Sequence, residues 1–425
     1  MSVFQALTRS QQCTFLRLFA VGLFFWSSMA SLLPTLPLYV RDVGGTQQQV
    51  GFVMGAFAIG LLLSRPTLGT WADRRSRTSV LRVGTAVVTL APLGYFFVTS
   101  ISSLMLLRAF HGISVAAFTT AYSALVADLS PPQQRGELIG YMTLVTPLGV
   151  AIGPALGGFV QADLGYSALF GMTATFGALS WWLARSVEEP KIDRADSPPS
   201  SKVSAENSTS ASADLPFWKL LTSPSVRVPT FVMLVVGLIF GTITTFVPLY
   251  IEASSIDLNP GWFYTTAAVS SFSMRLFAGR ASDRIGRGLF ISSALVCYVL
   301  SMAILSQSDR SELFLLAAFL EGMGAGVLIP TTIALMTDRS KPQERGRIFS
   351  LCVGGFDLGI AIAGPLLGSV AQYLSYSSLF AIAMGLASIA FVLFVTANSK
   401  DLPHSLQFAL GRGRDLYALD RLGNR

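Results

Sequence analysis

The stretch Arg65-Pro-Thr-Leu-Gly69-Thr-Trp-Ala-Asp73-Arg74-Arg-Ser-Arg77 returns, at an offset of 210 residues, as Arg275-Leu-Phe-Ala-Gly279-Arg-Ala-Ser-Asp283-Arg284-Ile-Gly-Arg287. Gly69, Asp73, Arg74 and Arg77 fall on Gly279, Asp283, Arg284 and Arg287. The same offset places Asp128-Leu-Ser-Pro-Pro132-Gln133-Gln-Arg135-Gly136 on Asp338-Arg-Ser-Lys-Pro342-Gln343-Glu-Arg345-Gly346, and one further residue brings Gly153-Pro154 onto Gly364-Pro365. A chain that repeats itself once at this length contains two related halves.

The material between the repeated motifs says what solvent those halves occupy. Of the 425 residues 52% are hydrophobic and 12% charged, against about 25% charged in soluble domains. Too few charges remain to cover a wet surface, so much of the surface must face lipid. Apolar runs of about 20 residues, enough to cross ~30 Å of hydrocarbon, recur near 14–40, 48–70, 78–100, 104–128, 136–161, 165–186, 227–252, 259–281, 289–308, 311–336, 346–371 and 376–397. The first run is too long for a removable signal peptide and lacks a small-residue cleavage site. The reading is an all-α membrane protein with twelve transmembrane helices. Its domains are a first six-helix bundle (1–186), a cytoplasmic linker (187–226), a second bundle (227–398) and a cytoplasmic tail (399–425). The linker is rich in Ser and Pro from Lys191 to Ser212 and buries too little apolar surface to fold; Phe217 and Trp218 mark its return to the headgroups.

All but three of the 30 Lys and Arg residues fall at one set of helix ends, the linker or the tails. Arg41 and Arg310 lie at the opposite ends, and Arg108 lies within a span. The positive-inside rule then puts both termini in the cytoplasm. Basic residues in short loops between apolar runs also exclude nucleic acid as the partner of the +7 net charge. Cys13, Cys297 and Cys352 sit in apolar stretches without a pairing pattern, and His111 and His404 form no ligand cluster, so neither disulfides nor a metal is expected. No Gly-rich Lys-Ser/Thr nucleotide loop occurs. Neither a cofactor nor enzymatic chemistry is indicated.

On these motifs the chain, linker and tails apart, resembles the major facilitator superfamily, and within it the twelve-span drug:proton antiporters. The Gly69-x-x-x-Asp73-Arg74-x-x-Arg77 loop matches that superfamily's signature, with Ser76 standing where the family usually has Gly; the second copy keeps Gly286. The resemblance implies that Asp73 contacts the start of span eleven near Arg345 to Arg347, and that Arg74 and Arg77 pair with Asp128. With their counterparts Asp283, Arg284 and Arg287, these residues would latch the cytoplasmic side in an outward-facing state. The simpler alternative is a turn carrying basic topology signals. Gly149, Gly153, Pro154 and Gly157 of span five match the family's antiporter motif, associated with exporters. Read from the residues alone, the glycines line one face that admits a neighbouring helix closely, and Pro154 invites a bend.

Four buried ionisable residues are the candidates for proton coupling. Arg108 sits about one turn inside span four, three residues before His111, so the two share a helix face. An arginine there costs ~2.5–3.5 kcal/mol on insertion scales; either it faces a cleft or it snorkels to the outer headgroups, leaving His111 a neutral hydrogen-bonding group. The resemblance gives that Arg a part in proton transfer. Glu321 lies ~13 Å and Asp357 ~16 Å deep at 1.5 Å per residue, near the midplane where binding sites lie. Each is a proton carrier or a structural hydrogen bond. Trp26, Tyr122, Tyr141, Phe246 and Tyr250 either offer aromatic surface to a lipophilic cargo or are packing and lipid-facing residues.

The expectation is a secondary active carrier acting as a monomer in a bacterial cytoplasmic membrane, exporting small lipophilic or amphiphilic molecules against protons by alternating access. Proton-linked uptake of a sugar or metabolite, export of a metal-chelating metabolite held by Arg108 and His111, and a non-transporting sensor or lipid-handling protein are the alternatives.

Overall fold

The computed structural model describes residues 7–131, 134–188, 221–341 and 344–419. The body of the linker, with Phe217 and Trp218, lies outside them, as does the side chain of Asp283. Among the described residues the chain is helical throughout. Nine stretches are long and apolar enough to cross a membrane. One of them, Arg135–Arg185, is divided by Gly165 at φ +81° and holds both spans five and six. Two further helices, Arg77–Tyr95 and Pro260–Ile285, lie at the positions of spans three and eight, where Arg77 and Arg82, and Arg275, Arg280, Asp283 and Arg284, dilute the apolar run. Twelve spans result.

Local chemistry sets their ends. Thr8 and Thr46 open spans one and two with reciprocal capping boxes to Gln11 and Gln49, which satisfy two helix-end donors each time. Ser76, Ser100 and Ser375 cap spans three, four and twelve, and Asn259-Pro260 opens span eight. Span one is two pieces, Arg9–Ser31 and Leu36–Asp42, parted around Pro34. Span five is interrupted at Leu144 because Pro147 cannot donate to the carbonyl four residues earlier; Pro154 lies within continuous helix. The interruption therefore sits ten residues before the proline singled out in the sequence. The Ser76 departure also has a local cause. Gly286 turns between spans eight and nine at φ +121°, where a side chain is strained. Its counterpart Ser76 is extended at φ −165°, and its hydroxyl oxygen accepts from Ser79 N–H, so nothing there requires glycine.

The packing repeats as the sequence does. Span one lies on five, two on four, and three on four and six; correspondingly seven lies on eleven, eight on ten, and nine on ten and twelve. Even single contacts recur. Gly112 abuts the Phe57 carbonyl and Gly322 abuts that of Ala267, each pair displaced by the same offset. Between the halves, span two packs on eleven and span five on eight. Call the end holding the N-terminus the basic end and the other the far end. At the far end one apolar core runs through both halves, joining Leu36, Val50 and Tyr95 to Phe246 and Leu249. At the basic end the first half keeps a core of its own, around Phe15, Leu81 and Leu125. The halves are closed together at one end and apart at the other.

Candidate functional site: the seam between the halves

Spans two and eleven are glued from the far end inward. Gln47 donates to the Tyr376 hydroxyl (3.2 Å), and Gln48 to the Ser369 hydroxyl (2.9 Å) while accepting from Gln372 (2.8 Å). Below them Gly51 meets the backbone of Gly364, and Gly55 meets Pro365 and the Ala361 carbonyl. A Cβ at Gly51 or Gly364 would overlap backbone atoms of the other helix. Small residues permit this approach, which dispersion then rewards. The five–eight seam is built likewise: Gly261 lies against the Pro154 carbonyl, Gly158 against Asn259, and Thr265 donates to the Ala151 carbonyl (3.1 Å). Arg41 and Glu252 close the far face with an ion pair across the halves (2.5 Å), beside a cavity of about 310 Å³ lined by Asp42, Tyr166 and Pro260 among others.

The glycine seam ends at a charge. Arg65 Nη1 of span two lies 2.6 Å from Asp357 Oδ2 of span eleven, with Asp357 7% and Arg65 31% exposed. Beyond that point the helices diverge: a Cβ added to Gly69 or Gly354 would meet nothing within 4 Å. The pair therefore stands where the gap opening from the basic end begins. The contact is an ion pair without hydrogen-bond geometry, since Asp357 Oδ2 has no hydrogen-bond partner among the described residues; a pair this buried is costly to break from either side. Counting Arg65 among the helix-end cations of the basic side was an error. It lies nine residues, about 14 Å, inside span two and serves Asp357. Among the described residues its counterpart Arg275 has no acidic partner, and its buried Nε has no acceptor.

The signature loops appear in both halves with the same internal pair. Arg77 bonds Asp128 and the Ala124 carbonyl, and Arg287 bonds Asp338 at 3.0 Å. Arg74 does not share Asp128; it is exposed, as are Asp73 and Arg284. The expected contact of Asp73 with the start of span eleven falls on side chains, Arg345 among them, that lie outside the described residues. Gly279, like Gly69, faces open space.

Other expected residues are elsewhere. Arg108 and His111 are buried inside the first half, not in the gap. Arg108 lies over the Phe57 ring (4.4 Å), and the Tyr95 hydroxyl is 3.5 Å from His111 Nδ1. Among the described residues, Arg108 Nε and Nη1 and His111 Nε2 have no hydrogen-bond partner, and burial inside the bundle excludes snorkelling. Glu321 occupies the equivalent position in the second half and is 6% exposed, with the hydroxyls of Tyr264 and Tyr298 as polar neighbours. That equivalence was readable from the offset, since Gly112 and Gly322 follow the two residues. Gly149, Gly153 and Gly157 admit span one, at Trp26, Ser27 and Ser31. Phe246 is buried in the core shared at the far end, and Tyr250 is half-buried against it, packed on Phe314 and Phe380; both have the packing role that stood beside the cleft role. Tyr122 is buried, stacked on Phe118 and donating to the Met142 carbonyl, with Trp26 at the edge of the same Phe118. Tyr141 is exposed and donates to Glu137 (3.3 Å).

Two pseudo-symmetric bundles sealed at one end around a buried cross-half ion pair define a membrane carrier with a central gap. The sequence profile of the Major Facilitator Superfamily matches residues 18–274 and 256–413, and the chain belongs to that family: it is a multi-pass membrane transporter of small molecules. It is 24% identical over 402 residues to the staphylopine export protein of Staphylococcus aureus strain Mu50, covering 92% of this chain and 98% of that one. It is 28% identical over 390 residues to the multi-drug resistance efflux pump PmrA homolog of Lactococcus lactis, covering 89% and 91%. Among solved structures, a mutant of the nucleoside transporter NupG superposes with a TM-score of 0.74 at 13% identity, covering 89% of this chain and 98% of that one. An inward-facing, unoccupied bacterial homolog of the lysosomal transporter Spinster gives 0.65 at 13%, covering 95% and 97%.

Proposed function

We propose that the chain is a proton-driven exporter in which Asp357 carries the proton and Arg65 is its resident counter-charge. The observation that carries this reading is the ion pair between Arg65 and Asp357, placed across the halves at the inner end of the seam. The basic end is taken as cytoplasmic on the Lys and Arg distribution, so the conformation faces inward.

The geometry suits exchange. An antiporter must forbid its empty form to turn over, and an ionised Asp357 paired with Arg65 ties the two gating helices together. Cargo entering from the cytoplasm draws Asp357 away from Arg65, the seam loosens, and the far end opens. Outside, cargo leaves and a proton neutralises Asp357. A protonated carboxyl forms no ion pair, so the halves can return, and the proton leaves to the cytoplasm as the pair re-forms. One charge moving through 100 mV yields ~2.3 kcal/mol, which at ~1.4 kcal/mol per decade supports a gradient of about fortyfold. The near full-length likeness to two exporters supports the direction.

A second reading keeps the mechanism and assigns a cargo of the staphylopine type, on the 98% coverage of that exporter. Inverted membrane vesicles distinguish the readings. A screened cargo, staphylopine included, should release protons into the medium on addition and be accumulated by vesicles given an inward-acid gradient. Accumulation in the same direction as the protons would establish uptake instead.

A further inference from the structure

The described part of the terminal segment, residues 399–419, is folded onto the second half. Arg339, whose side chain is fully buried, uses all five of its donors. Nε and Nη2 hold Asp415 (2.7 and 3.0 Å), Nη1 reaches the Ser225 carbonyl (2.9 Å) and Asn398 Oδ1 (3.1 Å), and Nη2 also reaches the Asn398 carbonyl (3.1 Å). Its guanidinium lies 5.8 Å from the Phe408 ring and 5.2 Å from that of Tyr417, and Leu419 N–H donates to the Asp338 carbonyl (2.9 Å). One arginine thereby fixes the start of span seven, the end of span twelve and the tail. The corresponding position of the first half is Leu129, so the device belongs to this half alone.

Clamped in this way, the helix Leu402–Ala409 has three faces. Residues advance about 100° each along a helix. Ser405, Phe408 and Ala409 point into the bundle and are buried. Gly288, in the first turn of span nine, abuts the Phe408 carbonyl, and Phe394, near the end of span twelve, stands 6.3 Å from the Phe408 ring. Beside that face, Leu402, Leu406 and Leu410 form an apolar stripe 51%, 39% and 57% exposed. His404 and Gln407, turned further round, make an exposed polar face. Spans nine and twelve pack on each other at the outside of their half, so the helix lies at the basic-end rim of two lipid-facing helices, level with their last turns. Exposed Lys400, Arg412 and Arg414 flank the stripe.

We infer that the helix Leu402–Ala409 is an interfacial strap whose leucine stripe is seated at the headgroup–acyl boundary of the basic-end leaflet, with Lys400, Arg412 and Arg414 on anionic headgroups. An apolar face beside a polar one, with cations along the margin and the axis held at headgroup depth, is the pattern of a helix lying in the membrane plane. Span tips placed just above the same helix explain why its third face is docked on protein. The strap would then fix the depth at which Arg339 and the Asp338–Arg287 pair sit at the basic end.

Spin labels on the full-length protein test this in vesicles of phosphatidylcholine mixed with phosphatidylglycerol. Leu406→Cys and Gln407→Cys are made singly with Cys13→Ser, Cys297→Ala and Cys352→Ala, and monodisperse elution with an unchanged helical circular-dichroism spectrum confirms folding. The label at 406 is expected to collide with dissolved oxygen several-fold more often, relative to a water-soluble nickel chelate, than the label at 407. Equal and aqueous ratios at both positions would overturn the proposal. Shielding of 406 from both agents would overturn it too, since a protein partner or second copy would then cover the stripe.

Discussion

Replacing Asp357 by Asn is expected to abolish proton release on cargo addition in inverted vesicles while leaving a folded, membrane-inserted protein. The amide keeps the carboxylate's shape but carries no charge, so the tie to Arg65 is lost while no carboxylate is stranded and Arg65 stays partly wetted. It cannot take up and lose a proton. Arg65→Gln should behave differently. It strands the carboxylate of Asp357, 7% exposed, without its counter-charge, a loss in the range of ~3–5 kcal/mol for buried pairs and nearer ~3 kcal/mol here because Arg65 is partly wetted. A shift of that size changes the balance between closed and open far ends by more than about a hundredfold. The empty carrier would be freed to turn over, and vesicles should leak protons without cargo. Wild-type proton release in Asp357→Asn would remove Asp357 from the mechanism.

The second large effect is steric. Gly51→Leu places a side chain where the backbone of Gly364 already lies, and neither helix can yield without separating. Overpacking of this kind typically costs 1–3 kcal/mol, here charged entirely to the conformation with the far end shut. The variant should populate the opposite state about five- to a hundredfold more than the parent and lose steady-state transport. Gly69→Leu is the control: it lies on the same helix at the open end with nothing within 4 Å, and should leave the far end as it is. Labelling of a cysteine introduced at Ala361, behind the seam, by a membrane-impermeant reagent from the far side reads the difference. Equal labelling of the parent and Gly51→Leu would show that the seam does not govern closure.

The duplicated halves were legible because lipid forces every span to be a long apolar helix and because Gly, Asp and Arg punctuate the loops at a constant offset. The pairing of Arg77 with Asp128 was an implication of the family resemblance, and the structure shows that ion pair. Arg65 was not legible. In sequence it reads as one more cation near a basic helix end, and its partner is 292 positions away, across a boundary that only the packing of span two on eleven defines. For Phe246 and Tyr250 the sequence left a cleft role and a packing role open for a related reason: an aromatic on a helix that is apolar all round gives no sign of whether it faces core, lipid or gap. The docking of the tail gave no sign in sequence because it rests on one arginine, Arg339, gathering partners from three distant segments.

The central claim is that one structure alternates which end is closed, with the Arg65–Asp357 pair as its tie. Pulsed electron spin resonance on two labelled pairs measures it directly: Trp71→Cys with Phe349→Cys across the basic end, and Gln49→Cys with Tyr373→Cys across the far end. On acidification with cargo absent, the first distance should shorten and the second lengthen together, and Asp357→Asn should show that shifted distribution at every pH. Distances that stay fixed, or that change in the same sense at both ends, would contradict the account.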